Sequence, residues 1–142
     1  MAQRRLESLT EDDCVTLLRQ GRVGRIVYQD DLGPIAIPVN YALAGRDVIM
    51  RVEGGAKRAA MEQPRIAFEV DHLEEEAHAG WSVIVRGPGR EVPIEQVPEL
   101  LHRMDGMFPT PWASGIHNVW LQITAEIVTG RRFGDYESVI IP

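Results

Sequence analysis

Apolar positions along this chain recur first with a helical period and then, for most of its length, with a period of two. "TEDDCVTLLRQG" sets Thr10 ahead of Glu11, Asp12 and Asp13, with Cys14, Leu17 and Leu18 at helical spacing before Gly21. The threonine predicts an N-cap, the acids suit the positive end of the helix dipole, and the glycine predicts the stop. From Arg25 the spacing changes: Ile26 and Tyr28 precede the turn "DDLGP", and Ile35, Ile37, Val39 and Tyr41 follow on one face. That alternation predicts a hairpin, and "LAGRD" predicts a turn into a third antiparallel strand from Val48 to Val52.

Beyond this strand, Lys57 to Gln63 suits about two helical turns before Pro64 stops them. Arg65 to Asp71 then alternates, with Ile66, Phe68 and Val70 on one side, and predicts a fourth strand. "HLEEEAHAG" reads as a solvated connection, and Trp81 to Arg86 as a fifth strand closed by "GPG". Ile94, Val97, Leu101 and Met104 predict a helix with Pro98 near its start, because a proline in its interior would cost about 3 kcal/mol. After the irregular stretch "MFPTPWASGIH", a long sixth strand is expected from Asn118 to about Val128. Six antiparallel strands, few helices and no regular βαβ alternation predict a mainly β fold, a closed or partly closed barrel with a few short helices.

Length and composition narrow this further. A chain of 142 residues with 44% apolar and 25% charged residues predicts a single globular domain, 1–142. Its net charge of −6 argues against non-specific binding to nucleic acid or to an anionic membrane. No apolar run is long enough to span a bilayer and none follows the basic residues near the start, so a cytoplasmic protein is expected. The single cysteine, Cys14, cannot form an intramolecular disulfide, which fits a reducing compartment; on the apolar side of its helix it reads as a buried, inert thiol.

Candidate chemistry is sparse. His72, His78, His102 and His117 lack the spacing of a metal site, so no metal is expected, and no grouping suggests a nucleophilic triad or any other catalytic residue. "RVEGGAKRAAMEQ" lacks the spacing of a P-loop. Its Gly54 and Gly55 nonetheless expose backbone N–H groups beside Lys57 and a helix start, with Arg51 six residues before the lysine. By itself the stretch suits either a phosphate-cradling turn or a plain strand-to-helix loop. Asn40 can bond a heteroaromatic edge or face solvent, and Trp81 can pack in a core or stack on a ligand.

The order of these segments carries a resemblance. "GRVGRIVY", "GPIAIPVNYAL", "DVIMRVEGGAKRAAMEQPRIAFEVD", "GWSVIVRGPGREV" and "WLQITAEIVTGRR" together resemble the pyridoxamine 5′-phosphate oxidase-like family, the FMN-binding split barrels, over Gly21 to Arg132. The resemblance implies a six-stranded antiparallel split β-barrel at 22–132, preceded by a helical segment at 1–21 and followed by a tail at 133–142. It also implies a homodimer with flavin sites at the interface. Matched to the family's motifs, Pro38, Val39, Asn40 and Tyr41 would line the isoalloxazine edge, and Met50 and Arg51 would end the next strand of the site. Lys57 would hold the phosphate, and Trp81, Ser82 and Val83 would form a further site strand.

Ala56 stands where the oxidases carry the arginine of an arginine–lysine pair, which gives Arg51 the role of second charge. Ser82 stands where they carry a glutamine, and "RRFGDYESVIIP" does not reproduce their substrate-binding block, so the resemblance does not extend to vitamin B6 oxidation. The expectation is an FMN-dependent oxidoreductase acting on a small organic molecule. A deazaflavin-dependent reductase is the alternative, as is a non-catalytic flavin-binding, haem-binding or interaction protein. A longer anionic deazaflavin calls for a wider basic groove, and Lys57 is the chain's one lysine, which favours FMN.

Overall fold

The computed structural model describes residues 6–53, 58–104, 108–112 and 119–134. In chain order its elements are β1 (Glu7–Ser8), α1 (Glu11–Gln20), β2 (Val23–Asp30), β3 (Gly33–Asn40), β4 (Ala42–Ala44) and β5 (Asp47–Val52). Then come α2 (Arg58–Met61), β6 (Ile66–Glu74), β7 (Ala79–Gly87), β8 (Gly89–Val92), a 3₁₀ turn (Ile94–Gln96), α3 (Val97–Arg103), β9 (Val119–Ile123) and β10 (Ile127–Phe133). The fold is mainly β, as the alternation predicts, with the strands in two antiparallel sheets. The larger runs β1-β10-β7-β6-β2-β3 and the smaller β4-β5-β9-β8.

Several elements match the sequence pattern closely. Thr10 caps α1 by accepting a hydrogen bond from the Asp13 N–H at 3.1 Å. Cys14, Leu17 and Leu18 are buried, and burial, with Asp13 nearby, raises the thiol pKa of Cys14. Ile66, Phe68 and Val70 form the inner row of β6, and Pro98 lies in the first turn of α3.

The strand count differs for physical reasons. The expected third strand does not extend the β2–β3 hairpin; the chain turns at Tyr41 and β5 pairs with β4 and β9 in the other sheet. The expected sixth strand is two, β9 and β10, divided at residues 124–126, where Thr124 N–H bonds Pro88 O and Glu126 N–H bonds Arg86 O. Its first residue, Asn118, lies outside the described residues. Similarly, β7 passes through Pro88 into β8. At this corner Gly87 admits the Thr124 carbonyl so closely that a Cβ would fall 1.7 Å from its oxygen. The connection "HLEEEAHAG" is mostly strand, with β6 and β7 joined by the turn Glu75–His78.

The main core fills the space between the sheets and is closed by α1, whose contact with β10 depends on Gly130, where a Cβ would lie 2.6 Å from Cys14 Sγ. A second cluster, including Ile49, Trp120, Val97 and Leu100, lies on the outer face of the smaller sheet beneath α3. The two faces of β5 therefore belong to different layers: Val48, Met50 and Val52 point between the sheets, while Ile49 packs in the outer cluster.

Candidate functional site

Where the chain leaves the larger sheet, Asn40 and Tyr41 fasten three separate segments. The Tyr41 hydroxyl donates a buried 2.5 Å hydrogen bond to Leu18 O, tying the crossover to the end of α1. Burial raises the pKa of this phenol well above its ordinary value, with Arg22 opposing the shift. Asn40 accepts the Trp112 N–H at 2.8 Å through Oδ1 and donates to Arg22 O at 3.4 Å through Nδ2. Its amide thus pins residues 108–112 against the start of β2.

Arg22, Asn40, Tyr41, Phe108, Thr110 and Trp112 line a pocket of about 290 Å³. Two of its aromatic walls face water, Trp112 at 76% exposure and Phe108 at 50%. Arg22 donates through Nη1 to the carbonyls of Gly21 at 3.0 Å and Arg19 at 3.5 Å.

A second group of residues adjoins this pocket. Arg51 is opposite Trp120 in the β5–β9 ladder, and its guanidinium carbon lies 5.3 Å from the centre of the indole, a cation–π contact. Among the described residues the Arg51 Nε is buried without a hydrogen-bond partner. Trp120 in turn meets the Phe108 ring edge-on at 5.6 Å. Arg51, Trp120 and Phe108 therefore form a continuous path from the outer face of the smaller sheet to the pocket.

The structure divides the residues expected from sequence. Asn40 and Tyr41 line the pocket, and Arg51 joins it through two aromatic rings. Met50, Trp81 and Val83 have side chains in the main core, and Trp81 stacks on His72 with ring centres 6.5 Å apart. Ser82 belongs to the opposite face of β7, between Asp71 and Arg131 in the adjacent strands. Val39 packs against the core, whereas Pro38 is exposed beside Arg25. Lys57, with Gly54, Gly55 and Ala56, lies outside the described residues, in the segment joining β5 to α2.

Sequence reasoning did not single out Arg22, Phe108, Trp112 or Trp120. The available signal was the pair of aromatic residues in a proline-containing irregular stretch, together with an arginine directly after a helix-stopping glycine.

On the open face of the larger sheet, Arg25 bonds Glu69 at 3.1 Å and Asp71 at 3.3 Å. Burial, and then the neighbouring Asp71, raise the Glu69 pKa to about 7 against the opposing pull of Arg25. Among the described residues no group of three or more His, Cys, Asp and Glu side chains is placed to hold a metal, and no helix is long and apolar enough to cross a membrane. His72, His78 and His102 are exposed; His117 lies outside the described residues.

The family profile described as pyridoxamine 5′-phosphate oxidase matches residues 10–132. The chain belongs to this family. An uncharacterized member of the curated proteins, Rv0080 of Mycobacterium tuberculosis, is 30% identical over 135 residues, spanning 91% of this chain and 86% of its own. The solved FAD-binding protein of Mycobacterium smegmatis is 29% identical, with a TM-score of 0.68, over 91% of this chain and 99% of that one. A FAD-binding protein of Mesorhizobium loti shares the fold with a TM-score of 0.74 and 24% identity, over 94% of this chain and 100% of that one. This family membership accounts for the motif order over Gly21 to Arg132.

Proposed function

We propose that the protein is a flavin-dependent oxidoreductase acting on a small organic molecule, with the FMN moiety of its cofactor gripped by Arg51 and Lys57 in a homodimer. The observation that carries this reading is the Nε of Arg51, buried and unpaired among the described residues, on the strand that leads into the lysine-bearing segment. A buried donor without an acceptor costs about 1–3 kcal/mol, and a phosphate oxygen provides a charge-assisted acceptor. Trp120 fixes the guanidinium from one side, so the arginine supplies the charge that Ala56 does not.

The bound flavin would supply the hydride chemistry, while the protein binds and orients. Arg51 and Lys57 neutralise phosphate; Asn40 holds residues 108–112 at the mouth of the pocket, where Phe108 and Trp112 provide apolar surface. The flavin-binding solved relative at 29% identity supports the cofactor class.

The test is direct: purify the protein, record its absorption spectrum, and titrate it with FMN and with a deazaflavin. Saturable FMN binding with a flavin spectrum supports the reading, and a colourless protein that binds neither sinks it. Light scattering tests the dimer, and a monomer would remove the shared-interface arrangement.

A further inference from the structure

We propose that the outer face of the larger sheet is the surface through which two copies of this chain pair, with Arg131 of each copy set against Asp71 of the other. This rests on the homodimer reading and gives that dimer its contact surface.

Side chains alternate along the five long strands of this sheet, β10, β7, β6, β2 and β3, and one row of each strand faces the core. The other row is half-buried or exposed. Val27, Ala67 and Ile84 stand in that outer row and belong to neither apolar cluster. On the core side α1 packs against Gly130 and α2 buries Ala60, while α3 covers the smaller sheet. Among the described residues no helix lies over the outer row.

The face has the dimensions of an interface. Its strands are seven to nine residues long. At about 4.8 Å between strands and 3.3 Å per residue they make a surface on the order of 650 Å² per copy. A standard interface takes about 800 Å² from each partner, so stacking one sheet on the other reaches the required order. Pairing by edges is disfavoured, because the free edge of β3 carries Pro34 and Pro38, which have no N–H to give an added strand.

Charge sets the register. Asp71, Ser82 and Arg131 stand side by side in one row across β6, β7 and β10. A two-fold axis lying along β7 places Ser82 and Ile84 near their own counterparts and carries β10 of one copy over β6 of the other, so Arg131 meets Asp71 at two symmetric contacts. Both ends of that contact lack a full partner within one copy. Arg25 serves Glu69 and Asp71 through the single nitrogen Nη1, at 3.1 and 3.3 Å, so two carboxylates share one cation. Arg131 is exposed and has no side-chain partner among the described residues. Arg86, also on β7, is turned off the axis toward Thr129, with Nη1 3.4 Å from the hydroxyl.

The experiment is sedimentation velocity of the full chain over a concentration series, for wild type, Arg131→Asp, Asp71→Arg and an equimolar mixture of the two variants. Wild type is expected to be a dimer. Each variant alone sets like charges together at both contacts and should dissociate at least tenfold more readily. In the mixture, both contacts of a mixed pair join opposite charges, and dimers should return. A folding defect in either variant cannot produce that recovery. Dimers of wild-type affinity in both variants, or a mixture no more dimeric than its components, overturn the assignment and leave the homodimer reading standing. A monomeric wild type sinks the homodimer reading and this surface with it.

Discussion

Arg51 lies over Trp120, 5.3 Å from guanidinium carbon to ring centre, with its Nε buried and unpaired among the described residues. A ligand-free protein carrying that donor gives up stability, and the same donor gains an acceptor when phosphate arrives. Arg51→Met should therefore leave the ligand-free protein as stable as the wild type or more so, measured by urea unfolding. It should weaken FMN by about 1.5–3 kcal/mol, the range for a hydrogen bond to a charged group. Unchanged FMN affinity would remove Arg51 from the phosphate grip.

Lys57 has the same expected role. Lys57→Ala should weaken FMN by roughly 1.5–3 kcal/mol in a fluorescence titration. If affinity is unaltered, the lysine is only a surface residue of a strand-to-helix loop.

Tyr41 offers a test of how the pocket is supported. Tyr41→Phe removes the hydroxyl bond to Leu18 O, but that carbonyl keeps the Gly21 N–H at 3.3 Å, and the edge-on contact of ring 41 with Phe68 at 5.0 Å remains. The loss should therefore stay near the ordinary net value of about 0.5–1.5 kcal/mol, read from the urea midpoint. A much larger loss would mean that the hydroxyl does more than tie α1 to the crossover.

Glu69 predicts a pH dependence. Its pKa rises from an ordinary 4.5 to about 7 on folding. Below the lower value both states are protonated, and between the two the folded protein retains a proton that the unfolded chain has lost. Stability contributed by this group therefore falls as pH rises through that window and levels off above it. Glu69→Gln should flatten the decline in thermal midpoint between pH 5 and pH 7.5 relative to wild type. Parallel curves for the two proteins would show that the carboxyl does not titrate there.

Much of the architecture was legible because it depends on local patterns. The cap at Thr10, the alternation of Ile66, Phe68 and Val70, and Pro98 at a helix start each have one physical solution. The corners were not legible. Whether 118–128 is one strand or two depends on the carbonyls of Arg86 and Pro88, which bond Glu126 and Thr124 from a distant part of the chain.

The site shows the same division. A motif places Met50 and Arg51 together, but neighbours on a strand point to opposite faces, so Met50 joins the core and Arg51 the outer layer. Trp112 carried only the weak signal of an aromatic residue in an irregular stretch, because its place depends on a hydrogen bond from its backbone N–H to Asn40, 72 residues away.

The pairing of β1 with β10 constrains how the protein folds during synthesis. Glu7 stands opposite Arg132 and bonds it at 3.0 Å, across a separation of 125 residues. Among the described strands β1 is synthesised first, and it must wait for the last, β10, before its edge is covered. Closing so long a loop is slow, so β1 should be among the last elements to gain hydrogen-exchange protection during refolding.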